Sequence, residues 1–137
     1  MTRTDHERIA RRVLDAWNTH DVERVVACYT PDLIYRDPGT RGPVQGADAF
    51  RRYLGRMFRS WRMHWSAREV FPLEGGAGAA FLWHARLAPV GSDASVEIDG
   101  MDIALLDGER LKRNEVYFDR AALAGLLAAP SPAPAQL

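Results

Sequence analysis

Two aspartates sit where carboxylate chemistry can be built. Along residues 96–106 a two-residue period places Val96, Ile98, Gly100, Asp102, Ala104 and Leu106 on one side of a strand, with Glu97, Asp99 and Met101 on the other. Asp102 therefore shares the apolar side. A carboxylate there loses much of its hydration, which raises its pKa and favours the neutral acid, a hydrogen-bond donor to a ligand oxygen. A bulge or a one-residue slip would turn the same side chain outward. Asp37 is in phase with Leu33 and Tyr35 at the end of another strand, where an enclosing loop begins, so its carboxylate is a candidate base at the mouth of a cavity. Asp37-Pro38-Gly39 also reads as a plain turn in which the Asp bonds its own backbone. Carboxyl groups in unlike surroundings can divide the work of proton transfer. The ionised one accepts a proton from carbon, and the neutral one stabilises the enolate oxygen that results.

Other chemistries find less support. The four histidines, at positions 6, 20, 64 and 84, show no metal-ligand spacing, and Cys28 is the only cysteine, so neither a metal site nor an internal disulfide is expected. Lys112, the only lysine, lies in a charged segment unsuited to a Schiff base. Gly75, Gly76 and Gly78 fall between two strands, where no helix N-terminus is available to cradle phosphate. Eighteen basic residues balance eighteen acidic ones, so no net field draws the chain onto nucleic acid or an anionic membrane. Arg51, Arg52, Arg56, Arg59 and Arg62 gather positive charge along one helix, which reads chiefly as a solvated polar face. The expected partner is a neutral, hydrophobic small molecule, with no cofactor.

The elements that must hold the two aspartates follow from periodicity. Thr4 and Glu7 have capping-box spacing, and Ile9, Ala10, Val13, Leu14 and Trp17 then form one apolar helix face through about His20. Asp21 caps a second helix in which Val22, Val25, Val26 and Tyr29 keep the period until Pro31. A short strand, Leu33 to Arg36, ends at Asp37, and a loop runs to Gly46. A third helix from Ala47 presents Phe50, Tyr53, Leu54, Met57, Phe58 and Trp61. Residues 62–71, 79–88, 95–106 and 110–118 read as four strands joined by short turns, and Asp119 starts a last helical turn.

Helices followed by a meander predict an α+β fold, a cone of curved antiparallel sheet covered by the N-terminal helices. Trp17, Tyr29, Tyr35, Phe50, Tyr53, Trp61, Phe81, Trp83 and Tyr117 are expected to line an apolar pocket inside it. On residues 79–88 the pair Phe81 and Trp83 is assigned inward over the opposite pair His84 and Arg86, with His84 kept as a secondary site candidate. Met101, Ile103 and Leu105 make an apolar row on the outer face that predicts a homodimer. At 137 residues, 47% hydrophobic and 26% charged, the chain has the make-up of one globular domain, expected over residues 1–128, with 129–137 as a Pro/Ala-rich flexible tail. The polar N-terminus, the lone cysteine and the want of any long apolar run point to the cytoplasm.

Several short motifs carry a resemblance. Tyr29-Thr30-Pro31-Asp32, Tyr35-Arg36-Asp37-Pro38, Gly46-Ala47-Asp48-Ala49-Phe50, Asp99-Gly100-Met101-Asp102-Ile103 and Asp107-Gly108-Glu109-Arg110-Leu111 resemble the SnoaL-like polyketide cyclase and ketosteroid isomerase branch of the nuclear-transport-factor-two-like superfamily. The resemblance covers about residues 5–127 and implies the cone-shaped fold and a homodimer. It also implies that Asp37 is the general base and Asp102 the neutral acid of the oxyanion hole, the division of roles known for ketosteroid isomerase. The chain departs from the isomerases in its first helix, where Val13 stands in place of a hydroxyl-bearing Tyr. Losing one oxyanion donor costs about a hundredfold to a thousandfold in rate, and Trp17 and Tyr29 are the nearest candidates to replace it. Tyr117-Phe118-Asp119 is similar to a segment of the limonene epoxide hydrolases, yet Val116 occupies the position of their carboxylate, which disfavours their mechanism. Many reactions, and some proteins without one, share this fold, so a non-catalytic binding or accessory role is the alternative.

Overall fold

Thr2, not Thr4, opens the first helix. In the computed structural model, which describes residues 1–127, the Thr2 hydroxyl accepts the Asp5 backbone N–H at 3.1 Å and the Asp5 carboxylate accepts the Thr2 N–H at 2.8 Å. The earlier start keeps more residues helical, and each added residue contributes a backbone hydrogen bond once the helix is nucleated. This helix, α1 (Arg3–Asn18), buries Ile9, Ala10, Val13, Leu14 and Trp17, the stripe its spacing predicts. The expected tail at residues 129–137, and the domain limit at 128, lie outside the described residues.

The second helix is shorter than its period suggests. Asp21 caps α2 (Val22–Val26) by accepting the Glu23 and Arg24 N–H groups, but Tyr29 already begins the strand β1 (Tyr29–Arg36). Pairing with a distant strand supplies backbone partners from Cys28 onward, where Leu111 N–H donates to the Cys28 carbonyl at 2.9 Å, and this tertiary pairing outweighs the local helical signal. Pro31 is accommodated because the pairing shifts register between Tyr29 and Ile34. The loop after Asp37 contains a short strand, β2 (Val44–Gln45), and leads into α3 (Ala47–Ser60).

Four strands complete the sheet: β3 (Trp61–Pro72), β4 (Gly78–Pro89), β5 (Val96–Asp107) and β6 (Arg110–Tyr117), followed by α4 (Ala121–Leu127). Their order is β2-β1-β6-β5-β4-β3. The sheet is mixed rather than wholly antiparallel. The β3–β6 meander is antiparallel, but β1 runs parallel to β6 because α3 and the meander separate them and return the chain in the same direction. Register shifts at Arg68 in β3 and Lys112 in β6 bend the sheet over the helices.

Helix α1 is pinned across the inner face at both ends. Asn18 takes the Trp65 N–H at 2.7 Å and donates to the Trp65 carbonyl at 2.9 Å, while His20 Nε2 accepts the Met63 N–H at 3.0 Å. These side chains satisfy the free edge of β3, which would otherwise invite another strand. At the other end Arg8 forks onto Glu109 in the β5–β6 turn at 2.9 and 2.8 Å. The core, with Trp83, Tyr29, Phe50 and Phe81 fully buried, lies between the helices and the curved sheet.

Candidate active site

A cavity of about 160 Å³ lies between α1, α3, the inner face of the sheet and the start of α4. Its wall is largely apolar and holds two carboxyl groups, Asp37 and Asp102.

Asp102 is placed by the alternation of β5, which turns Ile98, Asp102 and Ala104 inward and leaves Met101, Ile103 and Leu105 half-buried on the outer face. The Trp83 indole donates its N–H to Asp102 Oδ1 at 2.7 Å, and the Asn114 amide donates to Oδ2 at 3.0 Å. Burial pushes the carboxyl up to about 7, against the Asn114 and Trp83 hydrogen bonds, which favour the ionised form; the charge of Asp37 adds to the rise. Near neutrality a large share of Asp102 thus carries a proton that can be donated. Gly100 makes this arrangement possible. It pairs directly with Trp83 across the sheet, and a Cβ on it would sit 2.4 Å from the indole ring, so only glycine leaves room for the ring to lie over β5.

Behind Asp102 runs a one-way relay of hydrogen bonds. Trp17 Nε1–H donates to the Tyr29 hydroxyl at 3.2 Å, Tyr29 donates to Asn114 Oδ1 at 2.8 Å, and Asn114 donates to Asp102. Trp17 and Tyr29 therefore spend their hydrogens inside this chain and have none left for a ligand. Val13 lines the cavity and offers none.

Asp37 serves the turn and the cavity together. Its Oδ1 accepts the Gly39 N–H at 2.6 Å, as an Asp-Pro-Gly turn requires, while Oδ2 accepts the Tyr35 hydroxyl at 2.7 Å and the Tyr53 hydroxyl as well. Two donors occupy Oδ2, so the lone pair left for a ligand is on Oδ1. Burial first, then the Asp37 charge, push both phenols well above the usual range, and they stay protonated donors.

Trp17, Tyr35, Tyr53, Trp61 and Trp83 line the cavity as their spacing predicts. Tyr29 and Phe50 do not: they pack against each other, ring centroids 4.8 Å apart, in the core beneath it. Phe81 faces inward like Trp83, but toward a much smaller cavity under α1 beside Ile9 and Leu111. Tyr117 points outward and is exposed, because the extra residue Lys112 flips the alternation of β6 and brings Asn114, Val116 and Phe118 inside instead. His84 stands on the outer face, Nε2 2.8 Å from Glu97 and Nδ1 2.9 Å from Asp99, whose carboxylates raise its pKa; it has no place in the cavity. Sequence reasoning missed Asn114 and Phe118. A lone Asn in phase with Val116 on an otherwise charged strand was the available signal for the first.

Comparison with known proteins places the fold. The profile of the SnoaL-like domain family matches residues 10–114. No curated protein matches. Among solved structures, a nuclear-transport-factor-two-like protein of unknown function from Burkholderia pseudomallei is similar at 20% identity over 94% of this chain and 100% of that one, with a TM-score of 0.78. A ketosteroid isomerase-like protein from Erwinia carotovora is similar at 20% identity, covering 83% and 93% of the two chains, with a TM-score of 0.67. TerC, co-crystallised with polyporic acid, is similar at 16% identity over 91% and 99%, with a TM-score of 0.77. At these identities the likeness is one of fold.

Proposed function

This chain belongs to the SnoaL-like domain family, and we propose that it is a cofactor-independent proton-transfer enzyme acting on a hydrophobic carbonyl compound. The observation that carries the reading is the pair of carboxyl groups in one apolar cavity, Asp102 held between the Trp83 and Asn114 donors and pushed up to about 7 by burial, with Asp37 as the second. Asp37 Oδ1 takes a proton from the carbon next to the ligand carbonyl. The electrons of that C–H bond move into the new C=C bond, and the carbonyl oxygen becomes an enolate oxygen that accepts the Asp102 hydrogen bond. Return of the proton to a different carbon is an isomerisation; attack of the enolate carbon on a second carbonyl of the ligand, which restores the first carbonyl, opens the second C=O π bond and lets its oxygen take the proton from Asp37, is a ring closure. Trp17, Tyr35, Tyr53, Trp61 and Trp83 hold the apolar body of the ligand.

The test is incubation with ketones and dicarbonyl compounds in deuterated water. Exchange of carbon-bound hydrogen that is lost in Asp37→Asn supports the reading, and no exchange above the uncatalysed rate with any of them rejects it.

A second reading, a non-catalytic binding protein, is favoured by Val13, which leaves Asp102 without a companion donor. Such a protein would bind a dienolate-mimicking phenol no better than Asp102→Asn does, whereas an enzyme of the proposed kind loses affinity sharply with that change.

We also propose that the chain works as a homodimer in the cytoplasm. Phe71, Ala80 and Ile103 are successive cross-strand partners, as are Leu82, Met101 and Tyr117, and these two apolar rows lie side by side on the outer face, the first ended by Glu115 beside Ile103 and the second by Glu69 beside Leu82. Phe71 and Tyr117 are exposed there. A second copy covering the rows by the same surface is the economical way to bury them. Among the described residues, no helix is long and apolar enough to cross a membrane.

A further inference from the structure

We propose that Arg56 and Arg120 form an anion-binding subsite at the mouth of the cavity, and that the ligand is an amphiphilic acid, an apolar carbonyl body carrying a carboxylate at its outer end. This rests on the reading that an apolar ligand fills the cavity, though not on the proton transfer.

Arg120, just before α4, is part of the cavity wall. Among the described residues its guanidinium reaches only the Pro38 carbonyl, at 3.4 Å, at the long limit of a hydrogen bond. Arg56 lies on α3 three residues after Tyr53 and so shares its face of the helix. Arg120 shares the cavity wall with Tyr53 and Asp37, and the exposed Arg56, one helical turn after Tyr53, brings a second guanidinium to that side of α3; the two charges oppose the rise that burial and then Asp37 give the Tyr53 pKa. Among the described residues, neither arginine has a carboxylate within the 4.0 Å of an ion pair. Other arginines of this chain do find acids, as Arg8 finds Glu109 and Arg51 finds Glu23 and Asp48. The two at the mouth are left to something else.

The surroundings of Arg120 say what that is. Arg120 lines the cavity and reaches Pro38, the neighbour of Asp37, while Asp37 has its Oδ2 engaged by Tyr35 and Tyr53 and its Oδ1 by the Gly39 N–H, so the guanidinium keeps its donors for an incoming anion. The interior beyond it is apolar and ends at Asp102, which near neutrality is already too poorly solvated to ionise freely and would not tolerate a second charge beside it. A single anion is therefore stable only at the outer end. A ligand that buries an apolar body, offers a carbonyl oxygen to Asp102 and leaves a carboxylate between the two arginines meets all three conditions. A planar guanidinium suits a carboxylate well, because it can present two parallel N–H donors.

Titration with acetylnaphthoic acid and with its methyl ester, followed by tryptophan fluorescence at neutral pH, separates charge recognition from filling of the cavity. The acid should bind the wild type about tenfold more tightly than the ester, the gain of one charge-assisted pair in a partly solvated site. The double variant Arg56→Gln/Arg120→Gln should bind both ligands alike, with its ester affinity unchanged from the wild type. Equal binding of acid and ester by the wild type overturns the proposal, as does an acid preference that survives in the double variant. Loss of ester binding in that variant also overturns it, since the arginines would then be structural. Failure of the proton-transfer reading would appear instead as no hydrogen exchange in deuterated water, an outcome independent of this titration.

Discussion

Trp83 reaches diagonally from β4 to the neighbouring β5 to hand its indole N–H to Asp102 Oδ1 at 2.7 Å, although its direct cross-strand partner is Gly100. The bond works against the fate of the carboxyl it holds. It favours the ionised form, as does Asn114, yet burial prevails and leaves Asp102 near 7. Removing the indole donor in Trp83→Phe should therefore move the carboxyl further up, a shift that an infrared titration of the variant can read. A carboxyl unchanged or lowered in Trp83→Phe would mean that the bond does not act on its charge.

The shifted carboxyl makes stability depend on pH in a definable direction. In the unfolded chain Asp102 titrates near 3.8, and in the fold near 7, so between those values the native state keeps a proton that the unfolded state has released. Its contribution is full below about 4, falls as pH rises toward 7 and is level above. Urea denaturation of the wild type and Asp102→Asn across this range should show the wild type losing ground to the variant as pH rises, by on the order of 4 kcal/mol in total. A difference that is constant with pH contradicts the assignment.

Gly100→Ala should be felt twice. The new methyl would meet the Trp83 ring at 2.4 Å and the Tyr117 carbonyl at 2.9 Å, so the indole or the strand must shift. Overpacking of this kind costs about 1–3 kcal/mol, measurable by denaturant unfolding, and it should weaken phenol binding because the donor that steadies Asp102 is displaced. Full retention of both properties would show that the ring has another place to go.

Tyr53→Phe removes one of the two phenols on Asp37 Oδ2 while keeping the aromatic wall. Hydrogen exchange should change in rate, with affinity for an apolar ketone held within about threefold, since the ring still fills its space. A change in ketone affinity with no change in exchange would place Tyr53 in ligand packing alone.

The outer face gives a separate prediction. Ile103→Glu sets a charge at the β5 end of the Phe71–Ala80–Ile103 row, next to Met101 of the other row on the same strand face. Light scattering at micromolar concentration should find a dimer for the wild type and a monomer for the variant, with the fold intact by circular dichroism. A monomeric wild type removes the proposed dimer.

The inward phase of Asp102, Gly100 and Trp83 was legible because a two-residue period of apolar residues admits one assignment of faces over a long unbroken strand. The same logic failed for Tyr117. One extra residue, Lys112, inverts the alternation of β6, and no composition signal marks it. Tyr29 is in helical phase with Val22 and Val26, and only its pairing with a strand more than eighty residues away makes it part of β1. Tyr29, Phe50 and Phe81 face the interior as their periods indicate, but periodicity cannot tell the wall of a cavity from the packed core beneath it; that depends on which side chains from other elements arrive to fill the space. Asp37 shows the opposite case. Its sequence fits both a turn and a cavity carboxylate, and the fold uses the two carboxylate oxygens to satisfy both.

Isotope-edited NMR of the side-chain carboxyl carbons, with Asp102→Asn identifying the resonance of Asp102, can follow its proton directly through the neutral range. A midpoint near 7, moving when a dienolate-mimicking phenol binds, is the predicted result. A carboxyl that titrates near its ordinary value of 3.8 and ignores the ligand would contradict the role given to Asp102.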